Sequence, residues 1–573
     1  LDYSGENSFL LDFADSGNFG NDVSGNDNDF SSSGLAATDQ MTDTPTNNFC
    51  TLSPIDKSSN IPLSDGNLVG TFTSSWYNVK ATFGVPSSGK WSFQLKGSSA
   101  YLFAGVIFGS DDYTDVDTNG TDALYYYGGA GIIATYRTGS YVQQTGLNTP
   151  TADENMEILI DKDNDQIGIV IDDVVEMGTD SGLEIQDTMT KFFIQGLNNT
   201  LTTDFGQGGY VPSQTGYLAL STANLTTPTI LDGTANFQPT LYTGNGSVRN
   251  IDQTENSTFQ PDLVWIKNRS AADSNMQIDV ARGVTKEMNS DNFAAQTTDA
   301  NGLTSFDSDG FGLGTGAGGY NDNTENFVAW QWLAGAGAGS SNTDGSINTV
   351  STSVNATAGF SISIWAGTDA EPVTIGHGLG VAPKMIIGKG SGIGNWLVGH
   401  DSMGWTKATY WDSTAASYGP TTYYWADTAP TSTVFSTGKE GLNLSGQNWV
   451  AYCFAEKEGY SRFESYTGNG NASGPVVYTG FKPAWVMIRK TSGTGNWVIM
   501  DSARSPYNEM DDQLLANTTA AETTGSEEID FLSNGFKIRT ADSDVNTSAG
   551  TYIYAAFAEY PFGGDGATPS TTF

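Results

Sequence analysis

Three segments of this chain share one pattern: FQPDLVWIK at residues 259–267, VAPKMIIGK at 381–389 and FKPAWVMIR at 481–489. In each copy an apolar residue stands two positions before a proline, an apolar run follows the proline, and a basic residue stands six positions after it. Self-similarity of this kind indicates one structural unit copied in tandem. The apolar run is typical of a buried β-strand at the centre of each copy.

The copies also share the segments around this centre. They begin with YTGNG at 242–246, WAGTD at 365–369 and YTGNG at 466–470. They end in an alternating aromatic strand at 326–334, 448–456 and 551–559. A unit of roughly one hundred residues can hold its own hydrophobic core. We therefore expect three β-sandwich-like domains that follow one another like beads on a string.

Turn residues precede the last strand of the first and third copies. The segments are SDGFGL at 308–313 and SNGFKI at 533–538. In each, a turn dipeptide lies between strand-forming residues, which predicts a β-hairpin.

An aspartate stands eighteen positions after each proline, at Asp279, Asp401 and Asp501. The basic residues of the three copies are Lys267, Lys389 and Arg489. We predict three structural salt bridges, Lys267 with Asp279, Lys389 with Asp401 and Arg489 with Asp501. The residues most suited to recognition vary between the copies, so we expect specificity in the loops where the copies differ.

Composition predicts an all-β, multidomain chain. The 573 residues include 69 glycines, 12% aromatic residues and only 15% charged residues, which is typical of strands joined by many turns. The formal net charge of −40 excludes nucleic acid as a natural partner, because a phosphate backbone would be repelled. No stretch has the roughly 18 apolar residues of a membrane-spanning helix, so no membrane insertion is expected. Cys50 and Cys453 are predicted to be buried free thiols.

These patterns divide the chain into five parts. We predict a loop-rich lead-in at 1–65, an antiparallel β-sandwich at 66–228, and the β repeats at 229–338, 355–459 and 460–565.

Several segments resemble known proteins. The segments SGKWSF at 88–93, DKDNDQ at 161–166, DFGQ at 204–207 and TGYLAL at 215–220 resemble, in this order, the SPRY-like, concanavalin-type sandwich. The segments LLDF at 10–13 and MTDTPTNNFCTL at 41–52 resemble the lead-in to that domain in structural proteins of tailed bacteriophages, especially marine and cyanobacterial phages. The three repeats resemble an uncharacterised β repeat domain that follows it in the same virion proteins.

This resemblance implies a virion appendage protein that recognises or scaffolds and is not an enzyme. The expected function is that of a tail fibre or tailspike, extracellular on the phage particle and trimeric, which attaches to a host surface glycan or receptor and to other virion proteins. One alternative is a capsid fibre or decoration protein. A second is a polysaccharide depolymerase, which would need a facing pair of carboxylates.

One acidic segment fits half of a calcium loop. Asp115, Asp117, Asn119 and Gly120 match the first half of the pattern, whose alternate oxygens converge on one cation. The bidentate glutamate is missing, because Tyr126 holds position twelve, so Asp122 or a backbone carbonyl would have to complete a Ca²⁺ site. The alternative is a solvated acidic loop. A second acidic run at 161–165 lies between two strand patterns and is interpreted as a hairpin turn.

The middle repeat is rich in aromatic residues. Trp405, Trp411, Tyr423 and Trp425 are candidate ligand-binding residues for a host glycan, since sugar faces stack on aromatic faces, and Tyr410 and Tyr424 lie among them. The alternative is packing in the core or between protomers. The two histidines, His377 and His400, lie near no serine or cysteine motif, so we expect structural contacts from them and no catalysis.

Overall fold

The computed structural model describes residues 8–37, 40, 47–97, 101–107, 123–137, 140–151, 154–178, 183–186, 191–315 and 318–563. The chain divides into two compact units, Leu1–Leu225 (unit 1) and Thr226–Phe573 (unit 2). Two four-residue α-helices occur in the described part, Lys439–Leu442 (α1) and Ser543–Asn546 (α2). No described helix is long and apolar enough to cross a membrane. The prediction of an all-β, multidomain chain is confirmed.

Unit 1 is an antiparallel β-sandwich. Its strands are Leu52–Lys57 (β1), Leu63–Ser64 (β2), Val69–Phe72 (β3), Tyr77–Gly84 (β4), Lys90–Gly97 (β5), Leu102–Ile107 (β6), Ala123–Tyr127 (β7), Ile132–Arg137 (β8), Ser140–Thr145 (β9), Asn155–Asp161 (β10), Gln166–Ile171 (β11), Val174–Met177 (β12), Lys191–Gly196 (β13), Asn199–Asp204 (β14) and Leu218–Ala219 (β15). Among these residues one sheet has the order β1-β4-β13-β6-β7-β8-β9. The other has the order β12-β11-β10-β5-β14-β3-β2, and β15 pairs with β5.

The two sheets of unit 1 pack face to face. Phe93 of β5 contacts Phe192 of β13 with ring centroids 6.4 Å apart. The predicted lead-in at 1–65 needs correction, because β1 and β2 belong to the two sheets. Leu52 of β1 belongs to the hydrophobic core, with 1% of its surface exposed.

The acidic run at 161–165 is the predicted hairpin turn. Asp161 pairs with Gln166 across β10 and β11, so the chain turns between them. The Asp161 carboxylate accepts a hydrogen bond from the Asn164 amide at 3.1 Å and lies 2.9 Å from the Lys90 ammonium. The hairpin needs no bound cation to explain its acidic residues. Cys50 and Cys453 are both buried and free, as predicted.

Unit 2 contains the three repeats. Repeat 1 has strands Phe237–Thr243 (β16), Arg249–Asp252 (β17), Leu263–Asn268 (β18), Met276–Asp279 (β19), Lys286–Asn289 (β20), Thr297–Thr298 (β21), Leu303–Asp307 (β22), Gly310–Leu313 (β23) and Asn326–Trp332 (β24). Repeat 2 has Ser351–Asn355 (β25), Phe360–Ala366 (β26), Val373–Gly376 (β27), Met385–Gly390 (β28), Leu397–His400 (β29), Thr409–Tyr410 (β30), Val434–Thr437 (β31) and Asn448–Phe454 (β32). Repeat 3 has Ser461–Thr467 (β33), Val476–Tyr478 (β34), Phe481–Lys490 (β35), Trp497–Asp501 (β36), Met510–Leu515 (β37), Thr523–Leu532 (β38), Gly535–Ile538 (β39) and Thr551–Pro561 (β40).

The three large sheets of unit 2 have equivalent strand orders. They run β16-β24-β18-β19-β20, β26-β32-β28-β29-β30 and β33-β40-β35-β36-β37, so the proline strand always lies between the aromatic exit strand and a hairpin partner. Both predicted hairpins are confirmed, because Asp307 pairs with Gly310 and Leu532 pairs with Gly535.

Each proline strand is buried on both faces, which explains why its apolar run does not alternate with polar residues. In β18, Val264 and Ile266 point into the core of repeat 1, while Leu263 and Trp265 point into a larger core. In β28, Ile386 faces the core of repeat 2, while Met385 and Ile387 enter the larger one. All three repeats contribute to this larger cluster, which we call the shared core.

The repeats therefore form a closed ring around the shared core, and the expected beads on a string are wrong. Trp265 of repeat 1 contacts Trp411 of repeat 2 with ring centroids 4.8 Å apart. Phe454 of repeat 2 contacts Phe557 of repeat 3 at 5.9 Å, and Trp485 of repeat 3 contacts Trp265 at 6.5 Å. One repeat alone would expose to water the apolar side chains that it contributes to the shared core.

We expect Trp485→Ala to destabilise all three repeats together. Removing a buried indole costs roughly 3 to 5 kcal/mol, and this side chain contributes to the core that every repeat uses. Hydrogen exchange followed by mass spectrometry should show faster exchange in β18, β28 and β35. Phe293→Ala is the matched control, since this ring is 61% exposed. Faster exchange confined to repeat 3 would contradict a shared core.

Candidate functional site

The basic residues of the three copies are buried and do not form the predicted salt bridges. Lys267, Lys389 and Arg489 have no exposed surface. Each donates instead to backbone carbonyls. Burial lowers the pKa of Lys267 and of Lys389 to about 8 and the pKa of Arg489 to about 10. The repeat spacing identified the three equivalent basic residues correctly, but the aspartates that it predicted as their partners are wrong.

These carbonyls close the ring. Lys267 of repeat 1 donates to the backbone carbonyl of Asp273 in its own repeat at 2.6 Å and to the backbone carbonyl of Thr519 in repeat 3 at 2.9 Å. Lys389 of repeat 2 likewise donates to Gly394 of its own repeat and to Asn292 of repeat 1. Arg489 of repeat 3 donates to the backbone carbonyl of Gly495 in its own repeat and to that of Ala415 in repeat 2. Each basic residue thus bonds its own hairpin loop and the neighbouring repeat in cyclic order.

Two of the three predicted aspartates bind an arginine three residues later. The Asp279 carboxylate lies 2.5 Å from the Arg282 guanidinium, and the Asp501 carboxylate lies 2.6 Å from the Arg504 guanidinium. Each aspartate also accepts a hydrogen bond from another repeat: Asp279 from the Tyr452 hydroxyl at 2.9 Å, and Asp501 from Trp330 Nε1 at 2.9 Å. Both carboxylates are therefore buried, and each links its own repeat to another one.

The middle repeat differs at this position because its hairpin is one residue shorter. Leu263 pairs with Asp279 and Trp485 pairs with Asp501, whereas the equivalent Met385 pairs with His400. His400, not Asp401, therefore occupies the aspartate position. Its Nε2 lies 3.2 Å from the Tyr554 carbonyl of repeat 3. Asp401 pairs with the exposed Lys384 at 2.5 Å.

Three of the four predicted glycan-binding residues are core residues. Trp405, Trp411 and Trp425 are between 1% and 6% exposed, so none offers a ring face to a sugar, and this part of the prediction is wrong. Trp405 and Trp425 pack against each other with centroids 5.5 Å apart. Gly399 permits this, since a Cβ there would lie 2.6 Å from Trp425 and 2.7 Å from Trp405.

Tyr423 is the exception, with 62% of its surface exposed. It belongs to the segment between β30 and β31, where tyrosines gather above the buried tryptophans. Tyr410 contacts Tyr418 with ring centroids 5.2 Å apart, and its hydroxyl lies 2.8 Å from the Tyr424 hydroxyl. Burial and the neighbouring Tyr424 raise the pKa of Tyr410, so the Tyr410 hydroxyl stays protonated at neutral pH. We call Tyr410, Tyr418, Tyr423 and Tyr424 the tyrosine surface.

Sequence reasoning missed Tyr418, which is 44% exposed. The available signal was its place among small and turn-forming residues at 412–422, which is typical of a surface loop. Reciprocal backbone hydrogen bonds with Ala408, at 2.7 and 3.0 Å, hold it in place.

A group of carboxylates is the candidate for a metal site among the described residues. Oxygens of Asp273, Asp322 and Glu325 lie within 4.8 Å of one another. The Asn268 amide already donates to Asp273 and Glu325, and the Gly318 and Gly319 amides donate to Asp322. This arrangement stabilises the loop without a cation. The calcium residues predicted from sequence, Asp115, Asp117, Asn119 and Asp122, lie outside the described residues, so that site stays a prediction.

Comparisons with known proteins give one family and several distant structures. A family model described as "Domain of unknown function (DUF7483)" matches residues 232–561, more than half of the chain and all three repeats at once. No curated protein is significantly similar in sequence.

Similar solved structures include the PSpry domain of TRIM65, the SPRY domain of human HERC1 and the carbohydrate binding module CBM66 from Bacillus subtilis. Their sequence identities are 11%, 13% and 10%, and their TM-scores are 0.22, 0.23 and 0.19. Each match covers 27% of this chain and 92%, 96% and 91% of the other chain, respectively. Matches at this level say nothing about what this chain binds.

We expect His400 to make unit 2 sensitive to acid. Burial lowers the pKa of His400 to about 4, against 6.5 for a free imidazole. Between these values the unfolded chain binds a proton that the folded chain does not, so stability falls as the pH falls. Relative to His400→Gln, the wild-type protein should lose roughly 2 to 3 kcal/mol between pH 7 and pH 4.5. Urea unfolding at the two pH values measures this difference, and identical losses in both proteins would contradict it.

Proposed function

This chain belongs to the family described as "Domain of unknown function (DUF7483)", and we propose that it is a non-enzymatic attachment component of a phage virion appendage, a tail fibre or tailspike. The virion setting is supported by the segments at 10–13 and 41–52, which resemble the lead-in of structural proteins of tailed phages, and by the three repeats, which resemble a domain of the same proteins. The proposed contact with the host is the tyrosine surface. The observation that carries this proposal is the exposure of tyrosine rings on a long loop of the middle repeat.

The loop distinguishes repeat 2 from its neighbours. After the strand equivalent to β30, repeat 1 continues into β21 and β22, and repeat 3 continues into β38. The described residues of repeat 2 contain no strand between Tyr410 and Val434. Loops on a rigid scaffold are the usual place for recognition, because they change without disturbing the core.

The tyrosines are held in place before any ligand arrives. Trp411 at one end of the loop and Trp425 near the other are buried. The Thr421 amide donates to the Thr406 carbonyl at 2.8 Å, and Tyr410 and Tyr424 bond through their hydroxyls. A ring that is already ordered loses little conformational freedom on binding, which favours affinity.

The chemistry of the surface fits a neutral glycan. A tyrosine offers an apolar ring face to the C–H side of a sugar and a hydroxyl to its polar edge. The net charge of −40 disfavours anionic polysaccharides, because like charges repel as the two surfaces approach. Several weak sugar contacts on one particle add up through multivalency.

The buried charged residues support the non-enzymatic part of the proposal, because they form hydrogen bonds within the protein. Lys267, Asp279 and Asp501 bond other repeats and are inaccessible to a substrate. A depolymerase would instead need two carboxylates facing a sugar in an open cleft.

Tyr423→Ala and Tyr418→Ala should each weaken glycan binding by about 2- to 10-fold, because a stacked ring contributes roughly 0.5 to 1.5 kcal/mol. Glycan-array binding followed by titration of the best neutral ligand measures this. Tyr507→Ala, which removes a ring with 72% exposure from repeat 3, is the matched control. Equal binding by all three variants and the wild type would overturn the site.

Competition for adsorption tests the biological role. The purified chain should block adsorption of a phage that carries it, and Tyr423→Ala should block less well. Unchanged adsorption would favour a capsid decoration protein. Release of reducing ends from host polysaccharide would favour a depolymerase.

A further inference from the structure

A cleft between repeats 1 and 3 lies apart from the tyrosine surface. Its volume is about 180 Å³. Phe237 and Pro239 of repeat 1 and Ala484, Pro506 and Ala558 of repeat 3 form its apolar wall. Glu255, Lys482 and Glu559 supply its charged groups.

The three repeats differ at one position that lines the cleft. The residue after the repeated proline is Asp262 in repeat 1, Lys384 in repeat 2 and Ala484 in repeat 3. Asp262 accepts hydrogen bonds from the Ala334, Ala336 and Gly337 amides, and Lys384 pairs with Asp401. Ala484 lines the cleft and has no side chain long enough to do either.

The chain approaches itself closely at one rim of the cleft. A Cβ at Gly233 would lie 2.2 Å from the Ala558 carbonyl oxygen, so only glycine fits there. The adjoining Thr234 lines the cleft, and its amide donates to Asp232 at 2.9 Å. This contact fixes the rim against β40, so the cleft is preformed.

The charges of the cleft favour a cation. Two carboxylates and one ammonium line it, which leaves a net charge of −1 (one Lys against two Glu). The Lys482 ammonium lies 3.3 Å from the Glu559 carboxylate, and its side chain is 3% exposed. Among the residues that the structure describes, Glu255 has no ion-pair partner. Partial burial raises the pKa of Glu255, and the nearby charges of Glu559 and Asp232 raise it further.

Lys482 also shows which cation fits. It lines the cleft together with apolar residues, and its ammonium group lies 3.3 Å from the Glu559 carboxylate, which also lines the cleft. A second molecule of the same form would place its ammonium group at Glu255 and its chain on Phe237 and Pro239. We propose that this cleft binds a primary ammonium ion carried on a short apolar chain, either a free alkylamine or a lysine side chain of another protein.

Titration of the full chain with n-butylammonium, followed by calorimetry, tests the proposal. Saturable binding is expected, and n-butanol, which has the same shape without the charge, should bind at least 10-fold more weakly, because a charge-assisted hydrogen bond contributes roughly 1.5 to 3 kcal/mol. Equal binding of the alcohol, or no saturation by the amine, would overturn the proposal.

Two variants locate the site. Ala484→Leu fills the cleft and should abolish binding. Glu255→Gln removes the charge at an exposed rim position and should weaken binding about 10-fold without unfolding the protein. Glu184→Gln, an exposed glutamate of unit 1, is the matched control and should bind as the wild type does. Binding that neither cleft variant changes would place the amine elsewhere and overturn the proposal.

The same titration distinguishes the two sources of the ammonium group. Nα-acetyl-lysine methylamide carries the same chain on a peptide unit. Binding as tight as that of n-butylammonium supports a lysine of a partner protein. Binding of n-butylammonium alone supports a small amine. Because the tyrosine surface is separate, Tyr423→Ala should leave amine binding unchanged, so failure of one proposal does not decide the other.

Discussion

Burial of the proline strand on both faces is the constraint on which unit 2 depends. One face of β18, β28 and β35 covers the core of its own repeat, and the other needs a second apolar surface. A single repeat cannot supply that surface, whereas three repeats supply it to one another. At about 25 cal/mol for each Å² of apolar surface removed from water, this mutual burial stabilises the ring far more than any single polar contact.

The buried cations determine how the repeats are oriented within that ring. An ammonium or guanidinium group without exposed surface is unfavourable unless its donors are all bonded. Lys267, Lys389 and Arg489 each donate to one carbonyl of their own repeat and to one carbonyl of the neighbouring repeat. A rotated or shifted repeat would remove one of these two acceptors from a buried charge. Hydrophobic burial therefore drives closure, and these hydrogen bonds select one geometry.

Sequence reasoning predicted what depends on local pattern. The all-β class, the hairpins at Ser308 and Ser533, the turn at 161–165 and the burial of both cysteines follow from turn chemistry and apolar periodicity. It did not predict the ring. A strand that is buried on both faces has the same apolar sequence pattern whether its second face packs against its own repeat or against another repeat. The Lys–Asp and Arg–Asp pairs were wrong, since spacing alone carries no information on whether side chains twelve positions apart contact each other. A hairpin one residue shorter placed His400 where alignment had placed Asp401. Trp405, Trp411 and Trp425 could not be distinguished from surface aromatics by composition, and only Tyr423 of that set is exposed.

The equivalent positions Trp330, Tyr452 and Ala555 show what the single chain permits. Three side chains of very different volume occupy equivalent positions in the shared core, where a symmetric assembly of identical subunits would have to place the same residue three times. In such an assembly one substitution changes the same position in all three subunits. A larger side chain would then have two equally large neighbours and no smaller one to make room for it. Here each position is encoded separately, and one repeat can gain a loop or lose a side chain while the other two preserve the packing. Gene duplication followed by independent drift can thus diversify one outer surface of the ring without passing through an unstable intermediate.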